Sequence, residues 1–411
     1  MRRSSETRLL LALVLVSLVG ACGAGTRRAG TSTPASPVPS SAPAAVGAAE
    51  PPSQVAPAAS AKATQDSATA AAAPSASPDA TAPAPGSSAL PALPPPRSSI
   101  ISLGEGELAA GDASLERGDL PAARQHYAAA PRGAAAAVGL ARVRLARLDV
   151  ALDYGAAKGN PEVAAVVTEL SRVTKSDPAL GAAQVELGRA RLLLGDAQGC
   201  IAALRKGAEL LPDEPEAHSL LGVGLLATGH SADAVQELSR AVALDPGSAA
   251  RHGNLGTALL MAGRTGEAIA QYEVRARIDD GDARAHSDLG TALLGTPDLE
   301  RALRELSRAV QLQPQRASFH SNLGYALQQA GTVGGAVLEY REALRLDPKL
   351  VSAWINLATA LARDPRTRKE ARADLEHARA LSPGDPRVTA NLDELDALEK
   401  GSPAPGGGAH P

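Results

Sequence analysis

Four histidines, His218, His252, His286 and His320, recur at intervals of 34 residues, with Trp354 at the next step. Imidazoles in register invite a metal reading, because His is a common zinc ligand. Zinc needs every ligand within about 2.1 Å of one ion, whereas side chains repeated on stacked helices stand about 8–10 Å apart. Successive histidines therefore cannot share an ion, and packing is their expected role. The two cysteines, Cys22 and Cys200, exclude a disulfide framework and a zinc ribbon. No Gly-rich phosphate loop, nucleophile elbow, paired-carboxylate constellation or His-Glu-x-x-His motif occurs. A chain with no catalytic activity, metal or cofactor is expected.

The elements that position these histidines repeat with them. Leu-Gly recurs at Leu187-Gly188, Leu221-Gly222, Leu255-Gly256, Leu289-Gly290 and Leu323-Gly324, then as Leu357-Ala358, always 34 residues apart. Counting Gly181 as position one, position twenty is Cys200, Ala234, Ala268, Ala302 and Ala336, and position twenty-four is Leu204, Leu238, Tyr272, Leu306 and Tyr340. Positions four, seven, eight and eleven share one face of a helix of 3.6 residues per turn, an apolar stripe that needs a partner. Gly195, Gly229, Gly263 and Gly331 fall where that helix must end, and Pro212, Pro246, Pro314 and Pro348 stop the second helix. These residues resemble the tetratricopeptide repeat, whose small residues at positions eight and twenty let two antiparallel helices approach closely. The resemblance implies an all-α fold, a right-handed α-solenoid of antiparallel helical hairpins, because one hairpin cannot bury its stripe alone. Six units fill residues 181–384. They depart from the pattern at Pro297 in place of the turn glycine, at Arg275 and Asp280, and by one extra residue in the unit from Val351. Degenerate units are expected over 99–180, with Gly118-Asp119 as one turn and a long connection from Gly155 to Pro161. A capping helix over 385–400 and a flexible tail at 401–411 complete the plan.

Opposite the apolar stripe, position six reads Asn254, Asp288, Asn322 and Asn356, and position nine reads Thr257, Thr291, Tyr325 and Thr359. In the family this side of the first helix lines the concave surface, so the resemblance implies a partner-binding site there. Asn is both donor and acceptor, so a ladder of them suits the backbone of an extended peptide whatever its side chains. A solvated face with a family-typical Asn explains the same residues, and both readings stand. The family's carboxylate clamp is absent, since positions five and nine hold Ser219 and Val223, then Gly253 and Thr257.

Net charge is -3 and the pI about 6.3, so no basic field exists to gather nucleic acid. Aromatic residues make up 2% and none precedes Tyr127, which leaves Ala and Leu to fill the core.

At the N-terminus, Arg2, Arg3 and Arg8 precede an apolar run from Leu9 to Val19, the layout of an export signal over residues 1–21. Val19-Gly20-Ala21-Cys22 resembles the lipobox of bacterial lipoproteins, which implies lipidation of the Cys22 thiol. Gly23, not Asp, follows the cysteine, which under the best-known sorting rule favours the outer membrane of the cell envelope. Residues 22–98 are rich in Ala, Pro and Ser and too poor in large apolar groups to offset chain entropy, so a disordered tether is expected. A lipobox followed by such repeats is similar in plan to pilotin-like lipoproteins of type IV pilus assembly. The expected function is a membrane-anchored scaffold or assembly factor gripping a protein partner, an extended or helical segment, in its concave face. The alternative is a cell-wall or polysaccharide-associated binding module. Cys22→Ser should release the protein from membranes on fractionation of the cell envelope; a variant that stays with the membrane would place the anchor elsewhere.

Overall fold

The computed structural model describes residues 100–148 and 154–401. The export signal, Cys22, the Ala/Pro/Ser-rich segment and the tail after Gly401 lie outside them. Among the described residues there are 17 helices and no strand. They pair as α1 (Glu107–Glu116) with α2 (Leu120–Ala129), α3 (Ala134–Ala146) with α4 (Pro161–Ser176), and α5 (Gly181–Leu194) with α6 (Ala197–Leu210). The same pairing joins α7 (Pro215–Ala227) to α8 (Ser231–Leu244), α9 (Ala249–Met261) to α10 (Thr265–Ile278), and α11 (Ala283–Leu293) to α12 (Leu299–Leu312). Last come α13 (Ala317–Gln329) with α14 (Val333–Leu346) and α15 (Val351–Ala362) with α16 (Arg368–Leu381), then α17 (Pro386–Glu399) against the final pair.

Local chemistry sets the ends of these helices. Asp119, Asp196 and Asp298 each accept from an amide three residues on, which satisfies a donor that the first turn leaves open. First helices stop at Gly195, Gly229, Gly263 and Gly331, whose φ of 76–80° is left-handed. The unit carrying Pro297 has no such glycine, and its first helix, α11, is shorter at 11 residues.

Packing within a hairpin rests on position eight. A Cβ added at Gly188, Gly222, Gly256, Gly290 or Gly324 would stand 2.4–2.8 Å from the Leu or Tyr at position twenty-four. Gly111 stands in the same relation to Tyr127, at 2.5 Å, so the hairpin α1–α2 keeps the contact although its sequence matches the repeat poorly. Cys200, at position twenty, is fully buried, and burial together with Asp196 pushes its thiol up to about 12, which keeps it unreactive at neutral pH. The long connection after α3 has a structural use: the amides of Gly155 and Ala157 cap the carbonyls of Leu192 and Leu193, and the Tyr154 hydroxyl donates to Gly195 O. It thereby closes the end of α5 in the next unit.

One carboxyl is held at a cost. Asp374 on α16 is 8% exposed, and its Oδ2 has no partner among the described residues. Burial, with Glu370 adding repulsion against a smaller opposing effect of Arg341, pushes it up to about 6. A carboxyl raised on folding is favourable to the native state at low pH, and that contribution is lost as pH rises from about 4 through 6. Asp374→Asn should therefore raise stability by on the order of 1–2 kcal/mol above pH 7 and change little near pH 4, as measured by urea denaturation at the two pH values.

Candidate functional site

The first helices of neighbouring hairpins touch one another along the array, and the second helices have no comparable contact. The array therefore curves with its first helices inside, and their positions six and nine line the inner face. One junction departs from this: α9 and α11 do not approach as the other first helices do. There Arg275 takes a place held elsewhere by Gly207, Ala241, Ala309 and Ala343. Its guanidinium crosses over Gly253, where a Cβ would lie 2.8 Å from Nη1, and donates to Asp288 and Asp282, each at 2.7 Å. Gly253, Arg275 and Asp288 are thus one coupled departure from the repeat.

The histidines lie away from the inner face, between helices of one unit and the connection before it. Nε2 of His218, His252, His286 and His320 faces the carbonyl of Pro212, Pro246, Asp280 and Pro314 at 2.9–3.0 Å. A carbonyl only accepts, so each Nε2 donates to it. Nδ1 meets Glu237, Gln271, Glu305 and Glu339 at 2.7–2.8 Å. Trp354 continues the series, its Nε1–H donating to Pro348 O at 2.9 Å. Each ring bolts the two helices of its unit to the preceding connection, and both nitrogens are occupied in doing so.

The residues expected at the partner site are on the inner face, but they are less open than helical spacing implies. Asn254, Asn322, Asn356, Thr257 and Tyr325 are buried, while Asp288, Thr291 and Thr359 are half-buried. The cause is the close approach of the first helices, which no single helix reveals. Several of these groups have internal partners. Thr257 Oγ1 lies 3.0 Å from the Tyr272 hydroxyl, Thr359 Oγ1 lies 2.9 Å from Asn391 Oδ1, and Asp288 is neutralised by Arg275. Asn322 Nδ2 donates to Ser287 Oγ at 3.2 Å and reaches Thr291 Oγ1 at 3.4 Å in the preceding unit. The remaining amide groups are unused: among the described residues Asn254 Nδ2, Asn322 Oδ1 and both polar atoms of Asn356 are buried with no partner, as are Ser219 Oγ and Ser321 Oγ.

Towards the N-terminus the same face has a different character, which the repeat pattern alone passes over. Glu186 and Arg189 occupy positions six and nine of the unit from Gly181. Arg142 on α3 donates to Glu186 at 2.9 Å and to Asp112 at 3.1 Å; Arg189 donates to Glu186 at 3.1 Å and to Glu216 at 2.7 Å. Arg251 continues the chain of alternating charge, 3.7 Å from Glu216 and 3.3 Å from Asp245. These side chains, Asp245 apart, are at most 10% exposed. Burial acts to raise the Glu186 carboxyl, but Arg189 and Arg142 outweigh it and hold it below the ordinary range. Charged residues at positions six and nine, where later units carry Asn and Thr, were the available signal; their pairing partners lie 27 and 44 residues away and could not be read from the repeat.

The comparisons agree with this architecture. A tetratricopeptide-repeat profile matches residues 185–249, 219–283 and 287–351. No curated protein matches the chain. Among solved structures, the Cut9–Hcn1 hetero-tetramer of the APC/C is similar over 70% of this chain and 55% of that one, with 14% identity and a TM-score of 0.53, a likeness of fold. PilF of Pseudomonas aeruginosa aligns over 52% of this chain and 97% of its own, with 20% identity and a TM-score of 0.44. YrrB, described as a tetratricopeptide-repeat protein with an unusual peptide-binding site, aligns over 46% and 97%, with 21% identity and a TM-score of 0.37.

The buried ion chain makes a sharp mutational contrast. Removing one partner strands the others, so Glu186→Ala should cost about 3–5 kcal/mol in urea denaturation. Glu209→Ala, which breaks the exposed pair with Lys206, should cost less than about 1 kcal/mol.

Proposed function

We propose that this chain, whose tetratricopeptide repeats lie between residues 185 and 351, is a membrane-anchored scaffold that holds an extended segment of a partner protein along the inner face of α9, α13 and α15. The repeats make it a protein-interaction scaffold; the occupied face and the anchor are the added reading. The unused amides of Asn254, Asn322 and Asn356 carry it. Leaving a buried donor or acceptor unpaired costs about 1–3 kcal/mol, and few such groups survive in native proteins without a purpose. Three Asn residues at one register, their unpaired donors and acceptors buried where neighbouring first helices meet, offer a peptide that parts those helices the pairing its main chain loses on leaving water. Each contact is weak, and a register that presents several at once sums them.

Anchoring follows from the lipobox resemblance at Cys22. The tether expected from the composition of residues 22–98 would have a typical reach on the order of 50 Å, which would hold the array clear of a membrane surface. Two acyl chains suffice for stable anchoring, which one does not provide.

The three Asn residues separate a ligand role from a structural one. Replacing Asn254, Asn322 and Asn356 together by Ala should leave helicity unchanged and thermal stability little altered, because removal of the unpaired groups offsets the loss of the Asn322–Ser287 bond. Recovery of a protein partner by crosslinking in envelope extract should fall at least tenfold. A loss of stability with undiminished crosslinking, or binding to purified glycan with no protein partner, would return these residues to packing and the scaffold reading would fail.

A further inference from the structure

The inner face already holds one extended peptide, and it belongs to the chain itself. Residues 100–104, which form no helix, run across the N-terminal end of that face. Ile101 and Leu103 point inward, 7% exposed each, and join the core, while Ser102 between them faces out. The main chain is gripped twice: Arg142 Nη1 donates to Ile101 O at 2.9 Å, and Leu103 N–H donates to Asp112 Oδ2 at 2.9 Å. A carbonyl and the amide two residues on are thus read by an Arg and an Asp, with aliphatic side chains filling the floor.

The grip is built independently of what it holds. Asp112 follows Gly111, which packs on Tyr127 as Gly222 packs on Leu238, so Asp112 sits at position nine of its unit. Its Oδ1 receives the Tyr127 hydroxyl at 2.6 Å and Arg142 Nη1 at 3.1 Å, which leaves Oδ2 directed at the peptide. Arg142 is fixed from the other side by Glu186. Gly104 and Gly106, with φ of 140° and 61°, turn the chain back on itself between this segment and α1. Residues bearing Cβ rarely adopt these angles, so the reversal is written into the sequence. The occupant nevertheless satisfies the site only in part. Arg142 is 2% exposed, and its Nη2 has no acceptor among the described residues. A buried guanidinium N–H without a partner favours any ligand that supplies one.

We infer that Asp112 and Arg142 form a second peptide site, specific for an extended protein segment with two aliphatic side chains one residue apart, and that residues 100–104 fill it in cis until a partner's segment displaces them. A partner segment that presents a further acceptor to Arg142 Nη2 replaces every contact of the strap and adds one. This site does not depend on the Asn positions of the preceding section.

The test uses the full chain and a fluorescent peptide of residues 98–106 as the probe. In I101D/L103D the strap is expelled, and the peptide should bind saturably by fluorescence polarisation, at least tenfold more tightly than to the unaltered chain. Adding R142K should weaken that binding at least tenfold, because a lysine cannot serve Ile101 O and Glu186 together, whereas adding E209A, which alters only the exposed pair with Lys206, should leave it unchanged. Circular dichroism confirms that helicity is retained, and L103S alone provides a milder release should the double variant lose it. The proposal is overturned if the folded, strap-released chain binds no peptide, if the unaltered chain binds it equally well, or if R142K has no effect.

Discussion

Everything in the array depends on how closely two helices of a hairpin approach. At position eight a glycine leaves no Cβ, and a Leu or Tyr from the second helix occupies the space within 2.4–2.8 Å of where that atom would be. Such contacts bury large side chains at close-packed density in a chain with one Trp and one Phe. The histidine at position four locks this geometry by joining both helices of its unit to the connection before it. Trp354 serves with one N–H alone, so the bond to the preceding carbonyl is the common element and the Glu or Gln at Nδ1 an addition.

With its hairpins held so, the array brings its first helices together on the inside, and the chemistry of that face then divides. The N-terminal half is charged and internally neutralised, from Asp112 through Arg142, Glu186, Arg189 and Glu216 to Arg251. Buried ion pairs of this kind add little net stability but penalise any arrangement that separates them. They hold units in one register where the repeat sequence is least regular. The C-terminal half carries amides and hydroxyls instead, several of them unpaired. Arg275 stands at the boundary, reaching from α10 to Asp288 and Asp282 at the junction where α9 and α11 stand apart. Asp288 breaks the Asn series for that reason, and its carboxylate belongs to the array's own fabric.

Helical spacing, the turn glycines and the prolines after the second helices are local properties, and they were legible at once. Pro297 marked its unit as a departure without disclosing that α11 is short, and the glycine-to-aromatic spacing in residues 111–127 would have revealed that the first hairpin obeys the common rule. The inner face was legible as a register but not as an environment. Helical spacing gathers position six on one side of the first helix, yet how far Asn254 and Asn356 are buried depends on the neighbouring helix, which the sequence of one unit does not contain.

The period of 34 residues and the residue types at fixed positions decide the secondary structure, the hairpin and the stacking order, because each rests on contacts within one unit or with the next. The pairing of Arg142 with Asp112 and Glu186, the wedge at Arg275, and the folding back of Ile101 and Leu103 onto the inner face were decided only in three dimensions. These join residues up to 44 apart whose types, Arg, Asp, Glu, Ile and Leu, are ordinary anywhere on a helix surface. Only burial between two first helices turns such residues into an ordered site, and burial belongs to the assembled array.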